Sequence, residues 1–218
     1  MNALIKTSIA ILAMAAPPAM GVRKPATSGT LNERRWQEAT VRPEWIIPLD
    51  KAVARYRRDR VRYSAIERQR KNGVPAPVVF ALHGRESGWD FTCHLHEGSP
   101  LTHRTRFIPK GRPVTGEPPF TFEQSAEDAL YVLKHENRVD WRSTDSALTA
   151  IEAYNGTGYL RFHPEVPSPY LWSGTTLYQR GKYVADGRFS ATAVDRQPGC
   201  AAILMRMRDR GLPLPFQP

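Results

Sequence analysis

The chain has 218 residues, 41% of them hydrophobic, and a formal net charge of +10. This length is enough for one domain whose core needs neither a metal nor many disulfides, and beyond the amino terminus no apolar run is long enough to span a membrane. The positive charge favours negatively charged partners, such as nucleic acid, anionic envelope polymers, lipid head groups or peptide carboxylates, without selecting among them.

Residues 1–21 have the pattern of a secretory signal peptide. Lys6 precedes an apolar run, Ile9 to Ala16, that is too short to span a bilayer, and the small residues Ala19 and Gly21 suit cleavage after Gly21. Cleavage one residue earlier, or retention as an amino-terminal anchor, fits the same pattern. We expect an exported protein, periplasmic or secreted, whose mature chain is not stably inserted in a membrane.

Residues 22–48 combine prolines, small residues and scattered charges, a composition that resists a continuous helix or strand. We predict an extended arm or linker here, ahead of the main domain at residues 49–218. Trp36 and Trp45 could anchor such an arm on the domain, because buried aromatic rings remove a large apolar area from water.

A strongly basic helix is predicted from Lys51 to Gly73. Asp50 can cap its start, an imperfect apolar stripe follows helical spacing, and Gly73 with Pro75 ends it. Its many arginines form either the solvated face of a packed helix, which we favour, or a surface for nucleic acid or lipid. A nucleic-acid partner is accordingly not favoured.

The apolar run VVFALHGRES, residues 78–87, predicts a buried helix that ends at Gly88. Glu86 would lie in its last turn. Apolar surroundings and the negative end of the helix dipole both disfavour a carboxylate, so we expect Glu86 to stay protonated near neutral pH and to serve as a general acid. The structural alternative is an ion pair with Arg85 or Arg104.

Residues 92–120 are rich in turn formers and predict a loop and hairpin beside the end of that helix. The cysteine and histidines of this loop suggest zinc, but their spacing matches no recognised metal site, so no metal is expected. Hydroxyl groups at Thr102 and Thr105 could instead hydrogen-bond a sugar or simply shape a turn. The metal ligands considered are Cys93, His94, His96 and His103.

Two further helices are predicted downstream. Thr121 and Gln124 form a capping-box pattern at the start of the first, and the second begins near Ser143 and stops at the glycines that follow it. Tyr154 and Asn155 therefore lie at a helix end, where a phenol and a carboxamide can point into a cleft.

Aromatic residues are concentrated among turn formers from Ser168 to Gly187. Tyr170 and Trp172 fit equally well as a sugar-stacking surface and as part of the core, whereas packing is favoured for Tyr183.

The segment CAAILMRMRDR, residues 200–210, predicts a last helix. Cys200 is the first residue of this helix, and the other cysteine of the chain is Cys93. In an exported protein these two residues could either form a disulfide or remain apart, because sequence does not show whether their side chains meet.

Two short motifs carry a resemblance to a known group of enzymes. Glu86 and Ser87 at the end of a buried helix, followed two helices later by the AYNG motif at residues 153–156, resemble the lysozyme-like superfamily of lytic transglycosylases and goose-type lysozymes. The stretch from about Val78 to Leu204, including PLTHRT, SPYLWSGTTLY and GKYVADG, resembles phage-like and bacterial wall-lytic proteins of that superfamily.

The resemblance implies a mainly α (α+β) lysozyme-like domain in which a small hairpin or loop region lines a glycan groove. It implies that Glu86 protonates the leaving oxygen between N-acetylmuramic acid and N-acetylglucosamine, with Ser87 supporting the acid or a substrate acetamido group. Tyr154 and Asn155 would line the groove. Peptidoglycan strands would be the partner, and no cofactor is implied. The sequence lacks a Gly-Leu-Met-Gln-like segment and has the Pro100–Thr105 region instead.

The product depends on whether a second carboxylate cooperates with Glu86 at the roughly 5 to 9 Å typical of glycosidases. Asp90, Glu97 and Asp186 are the candidates. In a lytic transglycosylase the muramic acid C6 hydroxyl attacks intramolecularly, so one enzyme carboxylate suffices. We slightly favour that 1,6-anhydro product over hydrolysis by a muramidase. A non-catalytic peptidoglycan-binding module and, less well, a metal-dependent nuclease or peptidase are the other classes that fit.

Overall fold

The computed structural model describes residues 30–216, which form a mainly helical structure, as predicted, with one small antiparallel sheet. The α-helices are α1 (Leu31–Glu38), α2 (Pro43–Glu67), α3 (Ala76–Ser87), α4 (Phe122–Glu127), α5 (Thr144–Asn155), α6 (Gly158–Phe162), α7 (Pro169–Trp172) and α8 (Cys200–Asp209). The strands are β1 (Lys182–Ala185) and β2 (Arg188–Ser190), with Tyr183 opposite Phe189. The signal peptide predicted at residues 1–21 lies outside the described residues.

The helix α3 lies at the centre of the core. All but one of its residues are buried, because its sequence is apolar around the whole circumference and leaves no face for water. The helices α2 and α8 pack against it and against each other. Phe80 and Leu82 are among its fully buried side chains. The predicted buried helix, with its end at Gly88, is therefore confirmed.

The prediction of an extended arm at residues 22–48 is wrong for the part of that segment that the structure describes. The helix α1 begins with a capping box between Thr30 and Glu33, and its Trp36 is 1% exposed and packs edge-on against Phe216. The amide of Asn32 donates to Thr149 on α5 (3.1 Å). Burial of Trp36 stabilises this segment enough to outweigh its weak helical pattern.

The basic helix begins earlier than predicted, at Pro43, where a missing N–H costs no intrahelical bond. Pro48 lies inside the helix, and Asp50 is an interior residue rather than a cap. The Asp50 carboxylate accepts hydrogen bonds from Arg206 Nε and Arg210 Nε, both at 2.7 Å, and so ties α2 to α8. No helix in residues 30–216 is both long and apolar enough to cross a membrane.

The hairpin predicted between residues 92 and 120 is not formed. The two residues Cys93 and Pro100 make an isolated bridge, but no strand lies in this part of the described chain. Prolines remove donors that a ladder would need, and side-chain hydrogen bonds shape the loop instead. Thr105, for example, is 3% exposed, and its hydroxyl oxygen accepts from the N–H of Arg112 at 2.8 Å.

The remaining predicted helices are confirmed, with one change of geometry. Thr121 and Gln124 form their capping box at the start of α4, but the helix widens into π-helical turns at Asp128–Leu133 and is followed by a 3₁₀ turn at Glu136–Arg138. Cys200 opens α8, and neither it nor Cys93 is in a disulfide, so the disulfide alternative is wrong.

Candidate active site at the end of α3

Glu86 lies in the last turn of α3 and is 2% exposed. Gly88 ends the helix in the left-handed conformation (φ 62°), which a glycine adopts without steric cost. Because α3 is the central helix, its end places a carboxyl group inside the protein.

The turn after Glu86 is held in an unusual backbone conformation. Trp89 also has a positive φ (63°), which is costly for a bulky residue. Its indole Nε1 donates to the Phe80 carbonyl at 3.0 Å, and its own carbonyl accepts from Arg55 at 3.1 Å. These contacts offset the strain and fix the path of the chain directly after the candidate acid.

Tyr170, on α7, contacts the Glu86 carboxyl group directly. Its hydroxyl donates to Glu86 Oε1 at 2.7 Å, and the residue is 3% exposed. Burial, and then the charge of Glu86, raises the pKa of Tyr170 well above its ordinary value, so the phenol keeps its proton and remains a donor. Tyr170 therefore contacts the candidate acid and is not an exposed surface for sugar stacking.

Arg85 supports Tyr170 from the other side. Its guanidinium lies 5.1 Å from the centre of the Tyr170 ring and donates to Asp195 Oδ1 at 3.2 Å. Burial alone would raise the pKa of Asp195, but the charge and hydrogen bonds of Arg85 outweigh it and lower that pKa. The sequence left open an ion pair between Glu86 and either Arg85 or Arg104. In the structure Arg85 pairs with Asp195, and Arg104 pairs with Glu117 at 3.0 Å.

The loop of residues 93–100 covers the end of α3. A Cβ on Gly98 would lie 2.4 Å from the Glu86 carbonyl oxygen, so only a glycine permits this close approach. The neighbouring Glu97 is 3% exposed and accepts a hydrogen bond from the Ser99 hydroxyl. Of the three second carboxylates proposed from sequence, Glu97 is buried beside α3, whereas Asp90 and Asp186 are exposed.

Tyr154 reaches the same region from the end of α5. It is 6% exposed and donates to the Leu95 carbonyl at 3.0 Å. Burial raises its pKa well above the ordinary value, and the charge of Glu86 adds to this effect. Asn155 follows as the half-buried last residue of α5. The AYNG motif therefore lies against the loop that covers the end of α3.

Two residues near Tyr154 were missed by the sequence reasoning. Lys134 is exposed and lies 5.5 Å from the centre of the Tyr154 ring; burial of its ammonium lowers its pKa, and the charges of Glu136 and Glu86 act against that. Glu136 is 6% exposed, and burial raises its pKa to about 7. No motif marks either residue, because the π-helical turns and the 3₁₀ turn that place them were not predictable.

The remaining predicted binding residues are Ser87, Thr102 and Trp172. Ser87 is 5% exposed, and its hydroxyl lies 3.3 Å from the His83 carbonyl, where it closes the helix end. Thr102 is exposed, and its hydroxyl contacts His103 Nδ1 at 2.9 Å. Trp172 is fully buried, so it belongs to the core and offers no surface to a sugar. For Trp172 the stacking alternative is wrong and the packing alternative is correct.

The histidines of the loop at residues 92–120 are bonded inside the protein. His94 Nε2 donates to the His103 carbonyl (2.7 Å) and His96 Nε2 donates to Asp128 Oδ1 (2.8 Å). Their Nδ1 atoms both face the Ser125 hydroxyl, at 2.9 and 3.3 Å. Burial lowers the pKa of both imidazoles. Within residues 30–216 no group of side chains is arranged to hold a metal ion.

Comparison of the chain with protein-family models, with curated proteins and with solved structures finds no match. The resemblance to lysozyme-like proteins therefore stays a prediction based on the motifs at Glu86 and at residues 153–156. What the structure adds is the placement of those motifs in a mainly helical fold.

Proposed function

We propose that the protein cleaves the β-1,4 bond between N-acetylmuramic acid and N-acetylglucosamine in peptidoglycan, with Glu86 as the general acid and then the general base. One observation carries this proposal. A carboxyl group that is 2% exposed lies at the end of the central helix and accepts a hydrogen bond from Tyr170. A buried carboxyl group with a fixed donor suits proton transfer near neutral pH.

The chemistry needs two proton transfers at Glu86, the first to the leaving oxygen and the second from the attacking hydroxyl. Glu86 gives its proton to the glycosidic oxygen as the bond to C1 of muramic acid breaks, and the resulting carboxylate is stabilised by the Tyr170 hydroxyl. The carboxylate then takes a proton from the attacking hydroxyl, which restores the acid. Lys134, whose pKa responds to the charge of Glu86, adds a positive charge that favours the carboxylate intermediate.

Substrate must reach a carboxyl group that the neighbouring side chains cover. Lys134 is exposed and lies beside Tyr154, so we infer that a glycan strand would approach from its side. The other groups expected to line that approach are Asn155, which is half-buried, and Thr102, which is exposed on the loop.

We slightly favour lytic transglycosylation, because intramolecular attack by the C6 hydroxyl needs no second enzyme carboxylate. Hydrolysis is the second candidate, and the observation in its favour is Glu136. This buried carboxyl group, with a pKa raised to about 7, is suited to activate a water molecule. Glu97 is a further carboxylate beside the end of α3.

Mass spectrometry of muropeptides released from purified peptidoglycan tests the proposal. Anhydro-muramic ends indicate transglycosylation, reducing muramic ends indicate hydrolysis, and the variant Glu86→Gln is expected to release neither. If the wild-type protein binds peptidoglycan but creates no new glycan ends, it is a binding module and the proposal is wrong. Export to the periplasm or the medium is part of the same proposal and is tested by fractionating the expressing cells.

A further inference from the structure

A concave site lies at the opposite end of α3 from Glu86. It is a cavity of about 700 Å³. Its walls are the end of α2, the turn between α2 and α3, and the residues that follow the 3₁₀ turn. This volume is in the range of sites that bind small ligands or single groups of a polymer. The lining residues are Ser64, Glu67, Arg68, Arg70, Lys71, Asn72, Gly73, Pro75, Asp140, Trp141, Arg142 and Pro215.

The cavity carries positive charges that the protein itself does not neutralise. Arg68, Lys71 and Arg142 are exposed, and across the described part of the chain they make no side-chain hydrogen bond or ion pair. Arg70 differs, because its guanidinium is bound to Glu127 at 2.8 Å. Three cations at one concavity are suited to bind carboxylate or phosphate oxygens.

Two acidic side chains give the cavity a mixed character. Glu67 uses Oε2 to accept from the N–H of Ala76 at 3.0 Å, and Asp140 uses Oδ1 to accept from the N–H of Arg142 at 3.1 Å. Each carboxylate keeps a second oxygen with which to accept from an ammonium group. A ligand that carries both carboxylates and an amine would match this pattern better than a simple polyanion.

The walls of the cavity are fixed by hydrogen bonds. The side-chain amide of Asn72 donates to the carbonyls of Asn137 (2.9 Å) and Val139 (2.8 Å), which ties the turn before α3 to the 3₁₀ segment. The Tyr131 hydroxyl donates to the Ile66 carbonyl and accepts from the N–H of Val74, both at 3.0 Å. A preformed site loses less conformational entropy when a ligand binds.

The cavity is separate from the candidate active site. Pro75 caps the start of α3 and Glu86 lies in its last turn, so the rise of the helix separates them by roughly 16 Å. A ligand in this cavity does not contact Glu86, but one polymer that carries several side groups could reach both sites.

We propose that this cavity binds a carboxylate-bearing peptide with a free amine, and, resting on the proposed function, that this peptide is the stem of peptidoglycan. Arg68, Lys71 and Arg142 bind the peptide carboxylates, and Glu67 with Asp140 accepts from the amine. The cavity thereby holds a peptide stem while the glycan strand lies at Glu86.

Isothermal titration calorimetry with the full chain tests this site independently of glycan cleavage. The probe is a soluble synthetic peptide with the carboxylates and the amine of a peptidoglycan stem, and its matched control is the same peptide with the carboxylates amidated. We expect saturable binding of the first peptide, weaker binding at higher salt, and at least about tenfold weaker binding in the double variant Arg68→Ala, Arg142→Ala. Both side chains are exposed, so the fold is expected to persist.

Control variants separate this inference from the proposed function. The double variant Arg161→Ala, Arg180→Ala removes two exposed arginines outside the cavity and should bind the peptide normally, as should Glu86→Gln. Equal binding by the wild type and the Arg68, Arg142 variant, or equal binding of the amidated peptide, overturns the inference. So does displacement of the peptide by an equal concentration of inorganic phosphate, because it would mark a general anion site. Peptide binding without glycan cleavage would support the cavity and reject the role of Glu86.

Discussion

The end of α3 and the histidine-rich loop at residues 92–120 are both buried polar regions, but their partners differ. In the loop, His94 and His96 have both ring nitrogens next to partners within the protein. At the end of α3, Glu86 faces Tyr170, Tyr154 and the exposed Lys134, which lie on helices and turns from other parts of the chain.

This difference shows that residue type alone does not identify a site. The loop carries more of the residues that usually bind metals. Its histidines instead form hydrogen bonds with Ser125 and Asp128, which attach the loop to the helical segment that begins with α4. The end of α3 contributes one carboxyl group from its own segment, and tertiary contacts supply the groups that could tune it. Variants in the two regions should therefore separate activity from stability.

The largest effect on activity is expected for Glu86→Gln. The amide keeps an oxygen that can accept from Tyr170 but cannot donate a proton as an acid, so glycan cleavage should fall by about 10² to 10⁴-fold. The free energy of unfolding should change by less than about 1 kcal/mol, because shape and the hydrogen bond are retained. Muropeptide release and urea unfolding measure the two quantities, with the exposed Asp90→Asn as control. Cleavage at the wild-type rate by Glu86→Gln would remove this residue from the mechanism.

The largest effect on stability is expected for Asp128→Asn in the loop network. Asp128 accepts from His96 Nε2, Arg112 Nε and the N–H of Val114, and it is 4% exposed. Removing its charge leaves a largely buried guanidinium without its partner, so unfolding should become easier by about 3 to 5 kcal/mol. The exposed Asp186→Asn should change stability by less than about 0.5 kcal/mol.

A metal chelator provides the second arm of that experiment. We expect no change in the unfolding midpoint of the wild-type protein, because the histidine nitrogens are engaged by side chains and carbonyls. A midpoint that falls with the chelator and recovers with zinc would show that the loop binds a metal and is not held by hydrogen bonds alone.

The pH dependence of stability should report Glu136, which lies in the 3₁₀ turn and whose charge acts on Tyr154. Its pKa is raised to about 7 by burial, above the unfolded value of 4.5, so the stabilisation is complete below the unfolded pKa and is lost as the pH rises through about 7. Between about pH 5 and pH 8, wild-type stability should fall by roughly 1 to 3 kcal/mol relative to Glu136→Gln. Urea unfolding at a series of pH values measures this difference; parallel curves would show that Glu136 is not buried as described.

The raised pKa of Glu152, also about 7, supplies a matched comparison away from the candidate site. Glu152→Gln should reduce the fall in stability over the same pH interval. Cleavage should not change, since the charged neighbour of Glu152 is Arg35 on α1. A loss of cleavage in Glu136→Gln alone would favour hydrolysis with Glu136 as the base.

The smallest effect is expected for Tyr170→Phe. It removes one hydrogen bond to Glu86 but keeps the ring over Arg85, so stability should fall by about 0.5 to 1.5 kcal/mol and cleavage by about tenfold. The control is Tyr183→Phe, whose ring packs edge-on against Tyr159. The pH profile of cleavage should also shift in Tyr170→Phe; an unchanged profile would show that Tyr170 only packs.

Much of the fold was predictable because its signals are local. The apolar run of α3 with Gly88 behind it, the capping box at Thr121 and the apolar spacing of α5 each depend on neighbours in the sequence. The arm prediction failed because Trp36 gains its stability from distant Phe216, and no window of sequence contains both residues.

The sequence by itself determined that the chain is mainly helical, that Glu86 ends a buried helix, and that a tyrosine and an asparagine end a later one. Only the tertiary structure decided that Tyr170 bonds to Glu86 while Trp172, two residues away, is core, and that the histidines serve the loop. The physical reason is range: capping and periodicity act over a few residues, whereas burial and hydrogen-bond partners are set by segments 30 to 110 residues apart, such as Leu95 with Ser125 and Arg85 with Asp195.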